Sequence, residues 1–176
     1  MNPARNPSGQ SAAIDSATTS IAFEPPDQPE VARLIDALDA YQKPLYPPES
    51  HHGIDMAALR QPNVLFAVVR DAQKRAVGCG AVVVGEEHGE LKRMFVSPEC
   101  RGHGLGNQLL CFLEAAAIDS GCSSIILETG IHQLAAITLY ERAGYVRRAP
   151  FGNYIEDPLS VFMQKQIVRR DDAISR

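Results

Sequence analysis

The segment Phe95-Val-Ser-Pro-Glu-Cys-Arg-Gly-His-Gly-Leu-Gly106 ends an apolar run, halts it at Pro98 and opens an amphipathic stretch. Gly102, Gly104 and Gly106 remove Cβ atoms where the backbone turns, so a ligand can approach the chain closely. Successive amides then face one spot in front of a helix N-terminus, an anion site suited to a pyrophosphate. Arg101 beside it can add a charge-assisted bond. The spacing departs from the G-x-G-x-x-G of dinucleotide folds. The P-loop pattern is absent as well. A glycine-rich connection without a ligand is the bland alternative to this reading.

Outward from that turn, the pattern alternates between two periods. Before it, Val64 to Arg70, Ala76 to Gly85 and Glu90 to Val96 read as strands joined by short polar links, in hairpin order. After it, Leu105, Leu109, Phe112, Leu113 and Ala116 mark a helix stopped by Gly121. Ser124 to Leu127 is a buried strand, Leu134 to Arg142 a shorter helix closed by Gly144, and Tyr145 to Arg148 and Leu159 to Gln164 two last strands. At the other end, Thr18 to Phe23 reads as a first strand. A helix follows on Val31, Leu34, Ile35 and Leu38, with Asp27 and Glu30 in a capping-box pattern. Prolines forbid regular structure over 43–53, and a short helix covers Ile54 to Arg60. This order is an α/β or α+β domain with a mixed sheet. Residues 1–17 and 168–176 read as flexible tails around one domain at 18–167.

Composition limits what such a domain does. Of 176 residues, 45% are hydrophobic and 22% charged, which suits a packed core and not a disordered chain. Seventeen basic against 21 acidic side chains give a net charge of −4, with no electrostatic reason to bind nucleic acid or an anionic membrane. No run approaches the roughly 18 apolar residues of a membrane span. Cys79, Cys100, Cys111 and Cys122 form no CxxC pair, and no secretory signal is visible, so reduced thiols in a cytoplasmic protein are expected. No set of side chains has metal-ligand spacing.

Arg101-Gly-His-Gly-Leu-Gly106 resembles the [RQ]-x-x-G-x-[GA] acetyl-CoA signature of the GNAT (GCN5-related) N-acetyltransferases. Glu90 to Pro98 is similar to that family's fourth strand, and Ala136-Ile-Thr-Leu-Tyr-Glu-Arg-Ala-Gly-Tyr145 to its A-[IL]-x-L-Y-x-x-x-G-[FY] segment. The resemblance covers roughly 18–166. It implies a mixed, mostly antiparallel sheet with splayed central strands flanked by helices. It also implies direct acetyl transfer from acetyl-CoA, as co-substrate, to the amine of an amino-acid-like or other polar small molecule. The family often has Asn seven residues before the tyrosine, where this chain has Gln133. A homodimer is within what the resemblance allows.

By the same resemblance, Met94, Phe95 and Val96 run beside the pantetheine arm, with the Met94 amide polarising the thioester carbonyl. Arg101, Gly102, His103, Gly104, Leu105 and Gly106 hold the pyrophosphate, and Gln133 borders the cofactor. An ammonium has no lone pair, so acetyl transfer needs a base, an oxyanion donor and an acid for the leaving thiolate. Glu90 is the best candidate base, or a solvent-facing carboxylate at a strand start; Glu128 is its rival, or the anchor for a cationic substrate. Tyr140 is the acid, or a core tyrosine beside Ile137. Tyr46, Glu49, His51 and His52 of the proline-rich loop, with His132, Asn153 and Tyr154, are candidates for the acceptor pocket. His52 is a third candidate base. Cys100 beside Arg101 is a reactive thiol or a small filler. A CoA-binding domain without catalysis, a protein amine, transfer to a hydroxyl, or a longer acyl group are the other readings this sequence leaves open.

Overall fold

Val64 to Arg70 is apolar nearly throughout because it is covered on both sides. Successive strand residues face opposite ways. Ala67 and Val69 join Leu109 and Leu113 in one core, and Phe66 and Val68 join Val31, Leu34, Ile35 and Leu38 in another. The computed structural model describes residues 19–50 and 52–167. Its elements are β1 (Ser20–Phe23), α1 (Pro29–Gln42), α2 (Met56–Leu59), β2 (Val64–Arg70), β3 (Ala76–Val84) and β4 (His88–Val96). Then come α3 (Leu105–Asp119), β5 (Ser124–Gly130), α4 (Leu134–Arg142), β6 (Val146–Arg147) and β7 (Ser160–Gln166). The tails expected at 1–17 and 168–176 lie outside the described residues.

The seven strands form one sheet in the order β1-β2-β3-β4-β5-β7-β6. Every neighbouring pair is antiparallel except β4 and β5. The mixed, mostly antiparallel sheet flanked by helices is thus the observed architecture. β4 and β5 pair only from His88–Ser124 to Leu91–Leu127. Beyond Leu91 they diverge and leave a gap in the middle of the sheet. On its other side β4 carries a bulge, where Arg93 and Met94 together oppose the single residue Gly80. Arg93 takes a left-handed φ of 55° there. A Cβ on Gly80 would lie 2.6 Å from the Met94 sulfur, so only glycine lets that side chain settle over β3.

Two local expectations need correction. Asp27 does not cap α1. The helix starts at Pro29, whose missing N–H makes a cap unnecessary at that position, and Gln28 is the N-cap without a side-chain bond. Glu30 instead pairs with Arg70 at 2.5 Å, as Glu24 does at 2.8 Å, and this ties α1 and β1 to β2. In α3 the fully buried stripe is Leu105, Leu109, Leu110, Leu113 and Ala117. Phe112 and Ala116 are half-buried, because Phe112 turns towards β1 and meets Phe23 at 4.9 Å. The proline-rich loop also holds one short 3-10 turn at Pro48–Ser50.

Leu109 is wholly buried between α3 and the sheet. Leu109→Ala is expected to cost about 2–5 kcal/mol of stability. A denaturant midpoint within error of the unsubstituted chain would place this contact outside the core.

Candidate active site

The glycine-rich turn, the end of β4 and α4 border one groove of about 560 Å³. Met94, Phe95, Val96, Arg101, Gly102, Gly104, Leu105, Gly106 and Gln133 all line it. Gly102 and Gly104 have φ of 82° and 77°, and nothing lies within 4 Å of where their Cβ atoms would be. Gly104 is the N-cap of α3 and gives it no side-chain bond, so the first-turn amides face the groove without an internal acceptor. His103 was expected to contribute its amide, and its side chain stands apart. It is exposed and outside the groove lining, with Nδ1 3.4 Å from the Cys100 carbonyl. Arg101 donates from Nε to the Val96 carbonyl at 3.0 Å, which leaves its terminal nitrogens pointing onward. Cys100 is buried, and burial with Glu99 and Asp71 nearby pushes its thiol up, so it is a filler and not a nucleophile.

A smaller polar cavity, about 80 Å³, meets this groove at Met94, Gln133, Ala136 and Tyr140. Its walls include Tyr46, Ser50, His52, Lys92, Arg93 and Glu128. Glu128 accepts from the Ser160 hydroxyl at 2.7 Å. Burial raises its pKa, and the neighbouring His52 and Lys92 pull it part of the way back. Tyr140 is buried, and its ring lies 5.6 Å from that of Tyr145. Burial and the Glu128 charge push its pKa up, so it keeps its proton at neutral pH. Tyr46 lies flat on β5: a Cβ on Gly130 would sit 2.1 Å from its ring, and its hydroxyl accepts from the His132 amide at 3.0 Å. The His132 ring stacks outside Tyr46 at 5.7 Å and does not line the cavity.

Glu90 stands elsewhere. It accepts from the Tyr154 hydroxyl at 2.7 Å and pairs with Lys92 at 2.7 Å, in a third cavity that Asn153 also borders. Lys92 also bonds the Tyr154 hydroxyl and, at 3.3 Å, the His52 carbonyl. The structure therefore gathers Met94, Tyr46, His52, Glu128, Gln133 and Tyr140 about one cavity, and ties Glu90 and Tyr154 together beside it. The Glu49 side chain and His51 lie outside the described residues. Lys92, Arg93 and Ser160 were not expected here. Alternation gave a signal for Lys92, which shares a strand face with Glu90.

A profile of the Acetyltransferase (GNAT) family matches residues 31–145. The chain belongs to the GNAT acetyltransferase family. It is 45% identical over 150 residues to an IAA acetyltransferase of Azospirillum brasilense, covering 84% of this chain and 97% of that one. An N-acetyltransferase of Bacillus subtilis (strain 168), YsnE, itself uncharacterized, is 36% identical over 124 residues, covering 69% and 82%. The structure of a Klebsiella pneumoniae protein described as a candidate acyl-CoA N-acyltransferase superposes with a TM-score of 0.74 at 43% identity, covering 86% and 99%. This chain is accordingly an acyl-CoA N-acetyltransferase enzyme, and its family implies a coenzyme A-borne donor. No described helix is long and apolar enough to cross a membrane.

Two outcomes follow for this acetyltransferase. Gly104→Val forces a branched side chain into left-handed backbone, a strain of about 1–2 kcal/mol, and is expected to weaken coenzyme A binding about tenfold by calorimetry. Unchanged affinity would separate the turn from the ligand. Glu128 has a folded-state pKa above its unfolded value, so its ionisation opposes folding above that raised pKa and the effect fades below the unfolded value. Glu128→Gln is therefore expected to raise the melting temperature at pH 8, with the gap closing near pH 4. A lower melting temperature at pH 8 would mean that the charge is net stabilising.

Proposed function

We propose that this enzyme moves an acetyl group from acetyl-CoA directly to the amine of a small polar molecule. The supporting observation is that the donor groove and the closed polar cavity meet at Met94 and Tyr140, with a buried carboxylate, Glu128, on the cavity wall. Acetyl-CoA supplies an electrophilic acetyl carbon and a thiolate leaving group. Glu128 takes a proton from the acceptor ammonium and exposes its lone pair. Its raised pKa brings it closer to the working pH, which suits a base. The Met94 amide, at the bulge on the edge of the gap, donates to the carbonyl oxygen as charge builds there. Tyr140 gives its hydroxyl proton to the departing sulfur and recovers one from the newly bonded nitrogen. The proton on Glu128 leaves to solvent, which balances the reaction.

Glu90 we assign to positioning. Its carboxylate is already engaged by Lys92 and Tyr154, and it does not line the acceptor cavity. Gln133 takes the place where relatives often carry Asn. Its carbonyl accepts from Gln42 at 3.4 Å, and it borders both spaces. The cavity's small size favours a small acceptor over a folded protein surface. Four free thiols, three of them buried, fit the reducing cytoplasm in which we place the enzyme.

The test is thiol release with acetyl-CoA and a panel of small amines. Tyr140→Phe is expected to lower kcat about 10²-fold or more while coenzyme A affinity stays within twofold, because only proton transfer is lost. Full turnover in that variant removes Tyr140 from the reaction. Binding without transfer to any amine removes the small-amine reading.

A further inference from the structure

The polar cavity is unevenly charged. Glu128 comes from β5, and across the gap β4 contributes Lys92 and Arg93, with His52 beside them. The carboxylates that pair with those two cations, Glu90 and Asp39, do not line the cavity. Lys92 has three N–H groups, engaged by Glu90, the Tyr154 hydroxyl and the His52 carbonyl, so it lends charge but no free donor.

Arg93 and His52 differ in that respect. The Arg93 guanidinium directs Nε and Nη2 to the Ile54 carbonyl and Nη1 to Asp39. A guanidinium has five N–H groups, so one remains on each terminal nitrogen. Its side chain is only 9% exposed. The His52 Nε2 atom is buried and has no hydrogen-bond partner. Its backbone is held by Lys92, and its ring stands edge-on to Tyr154 at 5.0 Å, so it is fixed in place. Buried donors normally have acceptors. With its proton on Nε2, His52 is a donor like Arg93; a plain ammonium acceptor would leave both unmet and bring a third positive charge beside Lys92 and Arg93.

We infer that the acceptor is an amine that also carries a carboxylate, an amino acid or a close derivative, with its carboxylate on His52 Nε2 and Arg93 and its amine towards Glu128 and Met94. This rests on the small-amine reading above. It makes His52 and Arg93 specificity residues, and it leaves the chemistry to Glu128 and Tyr140.

The experiment compares matched acceptors with the full chain and acetyl-CoA, reading thiol release: a set of amino acids, their carboxamides and their decarboxylated amines. The amino acids are expected to exceed both neutral partners about ten- to a hundredfold in kcat/KM, the worth of one or two charge-assisted bonds. His52→Leu and Arg93→Lys should erase most of that preference, read as the ratio of kcat/KM for each amino acid to that for its own carboxamide, a ratio that a uniform loss of activity leaves unchanged. Coenzyme A titration verifies that each variant is folded. If neither variant folds, the unsubstituted comparison decides alone. Equal or better use of the carboxamides or amines overturns the inference and leaves the small-amine reading standing. No thiol release with any of the three classes, despite coenzyme A binding, overturns both.

Discussion

The four-residue parallel pairing of β4 with β5 is the constraint on which the rest of this molecule depends. Past Leu91 and Leu127 the two strands part, and two of the groups proposed for the chemistry lie on the edges thus exposed. Met94 comes from one edge and Glu128 from the other. The bulge at Arg93 and Met94 shifts the register of β4 on β3 by one residue and bends the strand there. Gly80 of β3 makes room for the Met94 side chain, and Gly130 of β5 makes room for Tyr46. Two missing side chains, on the strands either side of β4, thus shape both sides of one opening.

The helices divide the remaining tasks. α3 fills the core with a leucine stripe and offers its uncapped start to the groove. α4 carries Tyr140 at the junction of the two spaces, and Gln133 at its N-terminus meets Gln42 at the end of α1. Burial alone explains much of the electrostatics. Glu128 and Tyr140 both have raised pKa values because water is excluded around them, so a reluctant carboxylate and a firmly protonated phenol face one space.

Local pattern made much of this legible. The bounds of β2 and α4 follow from the sequence to the residue, because an apolar run ended by polar links and a stripe closed by Gly144 are local signals. The glycine turn is equally local, and the family resemblance rested on it. What sequence hid depends on register. Nothing in Leu-Lys-Arg-Met tells that Arg93 and Met94 share one partner, since Gly80 on another strand decides it. The Lys92–Tyr154 contact joins residues 62 apart. That distance hid from the sequence that Glu90, its first candidate base, is engaged by Lys92 and Tyr154. The Asp27 cap failed for a different reason: a good pattern lost to a proline two residues on.

The short β4–β5 ladder also has a mechanical side. Among the described strands it is the one ladder joining β1–β4 to β5–β7, so the two halves of the sheet meet over four rungs. What binds the halves elsewhere is packing: a single core runs from Leu91 of β4 through Leu109 and Leu113 of α3 to Ile125 and Leu127 of β5. An extended ligand arm in the gap would add a second bridge between Met94 and Glu128, on the side where the ladder has stopped.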